Sequence, residues 1–348
     1  MAKSKRTRYE HVLGLIPDTL SWCREQDVAA IREYLLKKDG LPRVFIGSGG
    51  SLSAAHLAAS FSVDAGLVAV AMTPYQYIFS SWSKLPAKVI AVSAGGRNVD
   101  VINACKMAKD NEAQQFAAIL MKTGTALETM MENGERLKAF AFDLPNRDGF
   151  LATNSLVAFY CILTRIYFDE AVTVENWSNI CKVEDEIKLF IGSTHYLPTD
   201  SWDEHNAALY EARDTDRFYV LYSPDTMPIA IDLESRFSEG AVGCLQISDY
   251  RNFAHGRFNW FSRRKGQTAV IALISPECMK TAEGILCELP DEIPVMRMET
   301  ASSGCQGLLE LLLKSMYMAK ALGERWGLDI GAPKVDDFGR RIHSKDFV

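Results

Sequence analysis

A chain of 348 residues, 48% of them hydrophobic and with a formal net charge of −6, has room for two domains with cores of their own. The acidic balance argues against general nucleic-acid or anionic-membrane binding, and the longest apolar runs are of strand length, far short of a membrane span. Eight cysteines are scattered without a C-x-x-C pair, several inside apolar runs, a usage that fits the reduced thiols of a cytoplasmic protein and contains no zinc or iron–sulfur spacing.

The basic start, Met1–Arg8, has no apolar signal core behind it and reads as a solvated fray. From Tyr9 to Lys38 the apolar spacing predicts one or two helices, with Pro17-Asp18 as a start signal. Gly40-Leu41-Pro42 closes that region. The apolar run Val44-Phe45-Ile46 then stops at Gly47, and Ser48-Gly49-Gly50-Ser51-Leu52-Ser53 leads into an alanine-rich segment reaching about Ser62. This predicts a buried strand, a tight turn and a helix whose N-terminus opens onto the turn. Unsatisfied amides and the positive end of a helix dipole attract anions, and Ser48, Ser51 and Ser53 add hydroxyl donors. The same stretch also fits a plain strand-to-helix turn packed by small residues. His56, alone on the alanine-rich helix, reads as a packing residue.

Leu67–Met72 and Lys88–Ser93 are the next predicted strands. The second runs into Ser93-Ala94-Gly95-Gly96-Arg97-Asn98, followed by helical spacing from Val99 to Asp110. This repeats the strand, small-residue turn and helix of the opening. Phe116–Met121 and Ala139–Leu144 complete a set of apolar strands alternating with helices, the pattern of a parallel sheet covered on both faces. Ligands in such sheets sit beyond the carboxyl ends of the strands, where both turns fall. Phe150–Phe168 predicts a strong helix opened by Ala152-Thr153-Asn154-Ser155. A polar helical connection follows, with Trp177, His195 and Trp202 in it.

Alternation restarts with strands at Phe218–Ser223, Val242–Ile247, Gln267–Ile274 and Val295–Met298, and helices at Met227–Glu239 and Gly307–Leu322. Asp329–Val348 reads as a polar tail in which Gly331, Pro333 and Gly339 break regular structure. The expected division is a helical segment over 1–40, a first domain over 41–175, the connection over 176–215, a second domain over 216–328 and the tail over 329–348.

Two such turns followed by a second copy of the plan resemble the sugar isomerase (SIS) family. Gly49-Gly50-Ser51 matches its Gly-Ser/Thr-Ser turn, and Ser93–Asn98 aligns with its second turn, of pattern S-x-S-G-x-T. The chain is most similar to the double-SIS isomerase half of glucosamine-6-phosphate synthase and to the fructosamine-6-phosphate deglycases. The resemblance implies two tandem SIS domains, each a flavodoxin-like α/β sandwich with a parallel sheet between helices. It also implies a homodimer or higher homo-oligomer. In the second half, a family helix carrying a catalytic Glu is followed sixteen positions later by a His-Gly pair. Here Glu239 and His255-Gly256 keep that spacing. Asp232 falls where the family has a further acidic residue, Arg236 where it has a lysine, and Thr153 where it has a substrate contact. The tail looks like the segment that folds over the sugar site, with Lys334 or Lys345 offering an amine.

Four departures stand out. The second turn has Gly95 in place of its second serine and Asn98 in place of its threonine, while gaining Arg97. Arg257 follows His-Gly where proline is usual. Arginine holds phosphate bidentately, so these changes fit a rebuilt phosphate site, with a different anion or a nucleotide-linked sugar as the alternatives.

These residues imply a phosphosugar enzyme, either an aldose–ketose isomerase or a deglycase/deaminase working through an enediol or enediolamine. Glu239 would move the carbon-bound proton, and His255 would shuttle protons for ring opening or the departing amine. The phosphate would lie among Ser48, Gly50, Ser51, Ser93, Gly95, Arg97 and Asn98, with Thr153, Asp232, Arg257 and Lys334 around the substrate. The reading requires no metal or organic cofactor. A sugar-phosphate sensor without catalysis is the alternative. Arg257, Arg263, Arg264 and Lys265 read as a solvated basic face, with an RNA or polyphosphate contact as the alternative, and Phe253, Phe258, Trp260 and Phe261 beside them as core or dimer interface.

Overall fold

The computed structural model describes residues 8–131, 136–193, 217–343, 345 and 346. Two compact units emerge, and neither follows the chain linearly: one comprises 14–172 with 334–348, the other 1–13 with 173–333.

The first unit is built on a parallel sheet in the order β2-β1-β3-β4-β5 among the described residues. Its strands are β1 (Arg43–Ile46), β2 (Ala69–Met72), β3 (Ala87–Ser93), β4 (Gln114–Leu120) and β5 (Leu137–Ala141). β1 and β3 are buried along their whole length, so helices must cover both faces, and the apolar run rather than an alternation is what burial requires. Two strand residues break the apolar rule. Arg43 and Lys88, each 1% exposed, both pair with Asp39, at 3.0 Å (NH1 to Oδ1) and 2.6 Å (Nζ to Oδ2). Burial alone would push the Asp39 carboxyl up; Lys88 and Arg43 outweigh it and hold the group below its ordinary range. The strand order is that of the flavodoxin-like doubly wound sheet, which places its switch point between β1 and β3.

The second unit repeats the plan with β6 (Arg217–Tyr222), β7 (Cys244–Asp249), β8 (Thr268–Ile274) and β9 (Val295–Glu299), in the parallel order β7-β6-β8-β9. Tyr219, Phe253 and Phe261 meet edge-on or tilted in its core, which settles Phe253 and Phe261 as packing residues; Phe258 stays exposed. The short helix Arg8–Leu13 belongs to this unit. Its first amides, of Arg8 and Tyr9, donate to the Asp329 carboxylate at 2.7 and 3.1 Å. No helix among the described residues is long and apolar enough to cross a membrane.

Several elements differ from the sequence expectation. The N-terminal region forms three helices, Arg8–Leu13, Ile16–Glu25 and Ala29–Leu36, with Pro17 in the first turn of the second as its start signal predicts. Pro74–Phe79 is a helix closed by a reciprocal Thr73–Gln76 capping box; Thr73-Pro74 thus ends a strand and starts a helix. The helix after β5 begins at Asn154 rather than Phe150, because the Asp148 carboxylate accepts from the amides of Asn154 and Ser155. The tail is not irregular throughout: Asp337–His343 is helical, and Gly339 does not interrupt it. The connection is helical over Trp177–Ser193, while His195 and Trp202 lie outside the described residues.

Candidate functional site

The turn after β1 is shaped by close backbone approach. A Cβ at Gly47 would lie 2.4 Å from the Ser51 carbonyl oxygen, so only glycine lets the helix Gly50–Asp64 start this tightly against its strand. The turn after β3 needs Gly96 at φ +58°, where an added Cβ would also strike Thr125. Asn98 then caps the helix Val99–Asp110, its Oδ1 accepting from the Val101 amide at 3.0 Å and its side-chain amide left to donate. Two helix N-termini therefore open onto one place, at the switch point between β1 and β3.

That place is a cleft of about 270 Å³. Ser48, Ser51, Ser93, Gly95, Arg97 and Asn98, six of the residues expected to hold phosphate, line it together. Ser93 Oγ accepts from the Gly96 amide at 3.3 Å, which tightens the second turn. Gly50 opens the first helix beside the cleft without lining it. His343, from the end of the tail helix, lines the cleft as well. The sequence pattern of the tail points to its lysines and not to this imidazole, because no local pattern brings a residue near the C-terminus back to a turn near residue 50. Among the described residues no carboxylate lines the cleft.

Other expectations for this unit change. Ser53 is fully buried, with its hydroxyl 2.9 Å from that of Tyr160, so it packs the helix rather than facing an anion. Thr153 is also fully buried and donates to the Leu151 carbonyl at 3.2 Å. Lys334 is exposed and lies outside the cleft lining. His56 is half-buried, and burial pushes its imidazole pKa down, as a packing residue's would be. Gly95 also lines an adjoining cavity of about 410 Å³ that carries Lys122, Asp143, Arg147, Asp148 and Ser155. Burial pushes the Asp148 carboxyl up, against the hydrogen bonds it accepts at the helix start.

In the second unit the helix Met227–Glu239 carries three acidic or basic residues of interest. Asp232 and Arg236, each 2% exposed, form a bidentate pair: Arg236 Nε donates to Oδ2 at 3.1 Å and NH2 to Oδ1 at 2.9 Å. Arg236 NH1 donates to the Tyr9 hydroxyl at 2.7 Å. Burial works against the guanidinium charge, but the Asp232 anion outweighs it and holds Arg236 protonated. Glu239, at the helix end, is exposed and accepts from Ser235 Oγ at 2.6 Å.

His255 is exposed at the C-cap of the helix Tyr250–Ala254, which follows β7. A helix that returns from the end of β6 to the start of β7 finishes at the amino edge of the sheet, whereas His255 lies past the carboxyl edge. The sixteen-residue spacing therefore puts Glu239 and His255 at opposite edges of one sheet, not side by side within the unit. Arg257 is exposed one turn further on, and the Arg264 guanidinium lies 4.2 Å from the Trp260 ring centroid.

No family model matches the chain, and no curated protein sequence does. Solved structures match over nearly all of it. A tagatose-6-phosphate ketose/aldose isomerase from Escherichia coli is 16% identical, with a TM-score of 0.69 over 95% of this chain and 96% of that one. The C-terminal domain of a glucosamine-fructose-6-phosphate aminotransferase from Francisella tularensis is 11% identical, at 0.67 over 96% and 99%. A glucosamine-6-phosphate deaminase from Thermotoga maritima is 12% identical, at 0.64 over 94% and 98%. At these identities the likeness establishes the fold, and the fold is the two-sheet architecture of the phosphosugar isomerases.

Proposed function

We propose that this chain is a phosphosugar-processing enzyme that transfers a proton between neighbouring carbons of a sugar or amino-sugar phosphate. The observation that carries the reading is the cleft at the β1–β3 switch point, where two helix N-termini, three serines, Asn98 and Arg97 converge with no carboxylate among them. A phosphate monoester matches that donor set. The neighbours named for tagatose 6-phosphate, glucosamine 6-phosphate and fructose 6-phosphate chemistry share the fold and support the substrate class.

Holding the phosphate fixes the reacting carbons relative to a base. Glu239 is assigned that base. Its carboxylate removes the proton from the carbon beside the carbonyl or imine, and that C–H electron pair becomes the C=C bond of the enediol or enediolamine as the carbonyl oxygen or imine nitrogen gains a proton. The acid so formed then returns the proton to the neighbouring carbon while the hydroxyl on the first carbon gives up its own to form the new carbonyl. A carboxylate withdrawn from water by a bound substrate becomes a better base. His255 is assigned the proton shuttle for ring opening, or for the amine leaving in a deglycase or deaminase. Its separation from Glu239 across the sheet supports a homo-oligomer in which a second copy supplies one of the two groups. Arg257 is assigned a supporting contact beside His255, and Lys334 or Lys345 an amine near the sugar. Asp232 is assigned a supporting role, through Arg236, in shaping the helix that bears Glu239.

The experiment is a thermal-shift screen of hexose and amino-sugar phosphates against their unphosphorylated counterparts, followed by product analysis on each stabilising compound. Glu239→Gln should lose turnover by at least about a hundredfold while keeping the ligand shift. Unchanged turnover removes Glu239 as the base. A sensor is the second reading, favoured by Gly95 and Asn98 standing where two phosphate hydroxyls are expected. A ligand that stabilises the chain and is never converted selects it.

A further inference from the structure

We propose that His343 is an anion-binding residue, whose imidazole completes the phosphate cleft from the C-terminal side. The inference rests on the reading of that cleft as a phosphate site and names one more group that holds the ligand. His343 ends the helix Asp337–His343 and lines the cleft together with Ser48, Ser51 and the turn Ser93–Asn98, which lie far away in the chain. Its place there is not left to a loose tail. Asn103 Nδ2 donates to the Asp346 carboxylate at 2.9 Å, tying the segment just beyond His343 to the helix Val99–Asp110. That helix is the one whose N-terminus, capped by Asn98, opens onto the cleft. Asn98 and His343 are thus referenced to the same rigid element.

The charge of the cleft fits the assignment. Among the described residues, Arg97 and His343 are the charged or titratable side chains in its lining, and no carboxylate joins them there. The tail helix itself carries Asp337, Arg340 and Arg341, with Lys345 and Asp346 following. A phosphate in the cleft can accept from the Arg97 guanidinium and from an imidazole N–H of His343 at once, each of them a hydrogen bond to an anion. The arrangement therefore suits phosphate monoesters, which offer three unesterified oxygens to these donors, over phosphodiesters, which offer two.

Binding of fructose 6-phosphate and of inorganic phosphate to the full chain, measured by titration calorimetry, tests this with three variants. His343→Leu should weaken both ligands by about 10- to 100-fold, the loss expected for one charge-assisted hydrogen bond. His343→Lys should recover most of that affinity, which a purely structural role for the ring would not allow. Arg97→Leu serves as the reference for the cleft itself. If Arg97→Leu weakens binding and His343→Leu does not, His343 is no ligand contact and the phosphate reading of the cleft stands. If the wild-type chain binds neither compound, the cleft reading and the His343 assignment fall together.

Discussion

Arg236→Met tests whether the charged interior of the helix Met227–Glu239 holds the second unit together. The substitution removes the bidentate partner of Asp232 and the donor to the Tyr9 hydroxyl, at sites 2% and 1% exposed. Breaking a buried ion pair from one side typically destabilises by about 3–5 kcal/mol, because the remaining charge is left uncompensated. Loss of the Tyr9 bond adds about 1 kcal/mol. Equilibrium urea unfolding should therefore show a loss of about 4–6 kcal/mol near neutral pH. The loss should shrink in acid. Burial pushes the Asp232 carboxyl up and Arg236 opposes it; without Arg236 the upward push remains, with Glu239 adding to it. A carboxyl whose folded-state pKa is raised binds more protons folded than unfolded, so its penalty is smallest below the unfolded value of about 3.9 and grows as pH rises toward the folded one. The double variant Asp232→Leu/Arg236→Met removes both charges and should regain most of the stability. A single variant that loses under 1 kcal/mol, or a double variant no better than the single, refutes the reasoning.

Asp39→Asn leaves Arg43 and Lys88 buried without their carboxylate and should destabilise the first unit by about 3–5 kcal/mol at neutral pH, read from urea midpoints. The Asp39 carboxyl is held below its ordinary range, so its contribution is present above about pH 4 and fades as pH falls through the folded-state value; Asp39→Asn should flatten that acid limb. Gly95→Ser should fold normally, because a Cβ there meets no atom within 4 Å and the backbone lies outside the left-handed region. It should tighten phosphate binding by about tenfold by restoring a hydroxyl to the cleft, as titration calorimetry would measure.

Local chemistry made the plan of this protein readable before any coordinates. Val44-Phe45-Ile46 and the run ending at Ser93 must be buried on both faces, and residues that must turn tightly next to them are small, so strand, turn and helix announce themselves within a dozen residues. Six cleft residues follow from those two turns alone, since a parallel doubly wound sheet brings the ends of β1 and β3 together. The partnerships of side chains were decided by tertiary structure. Spacing along the chain says nothing about which edge of a sheet a residue reaches, and so Glu239 and His255 part company. Nor does it foretell that Arg236 turns inward to Asp232 and Tyr9, or that the last helix returns His343 to the first turns. Short-range sterics and burial act between neighbours in sequence; charge pairing and cleft closure act between neighbours in space, and only the folded chain defines those.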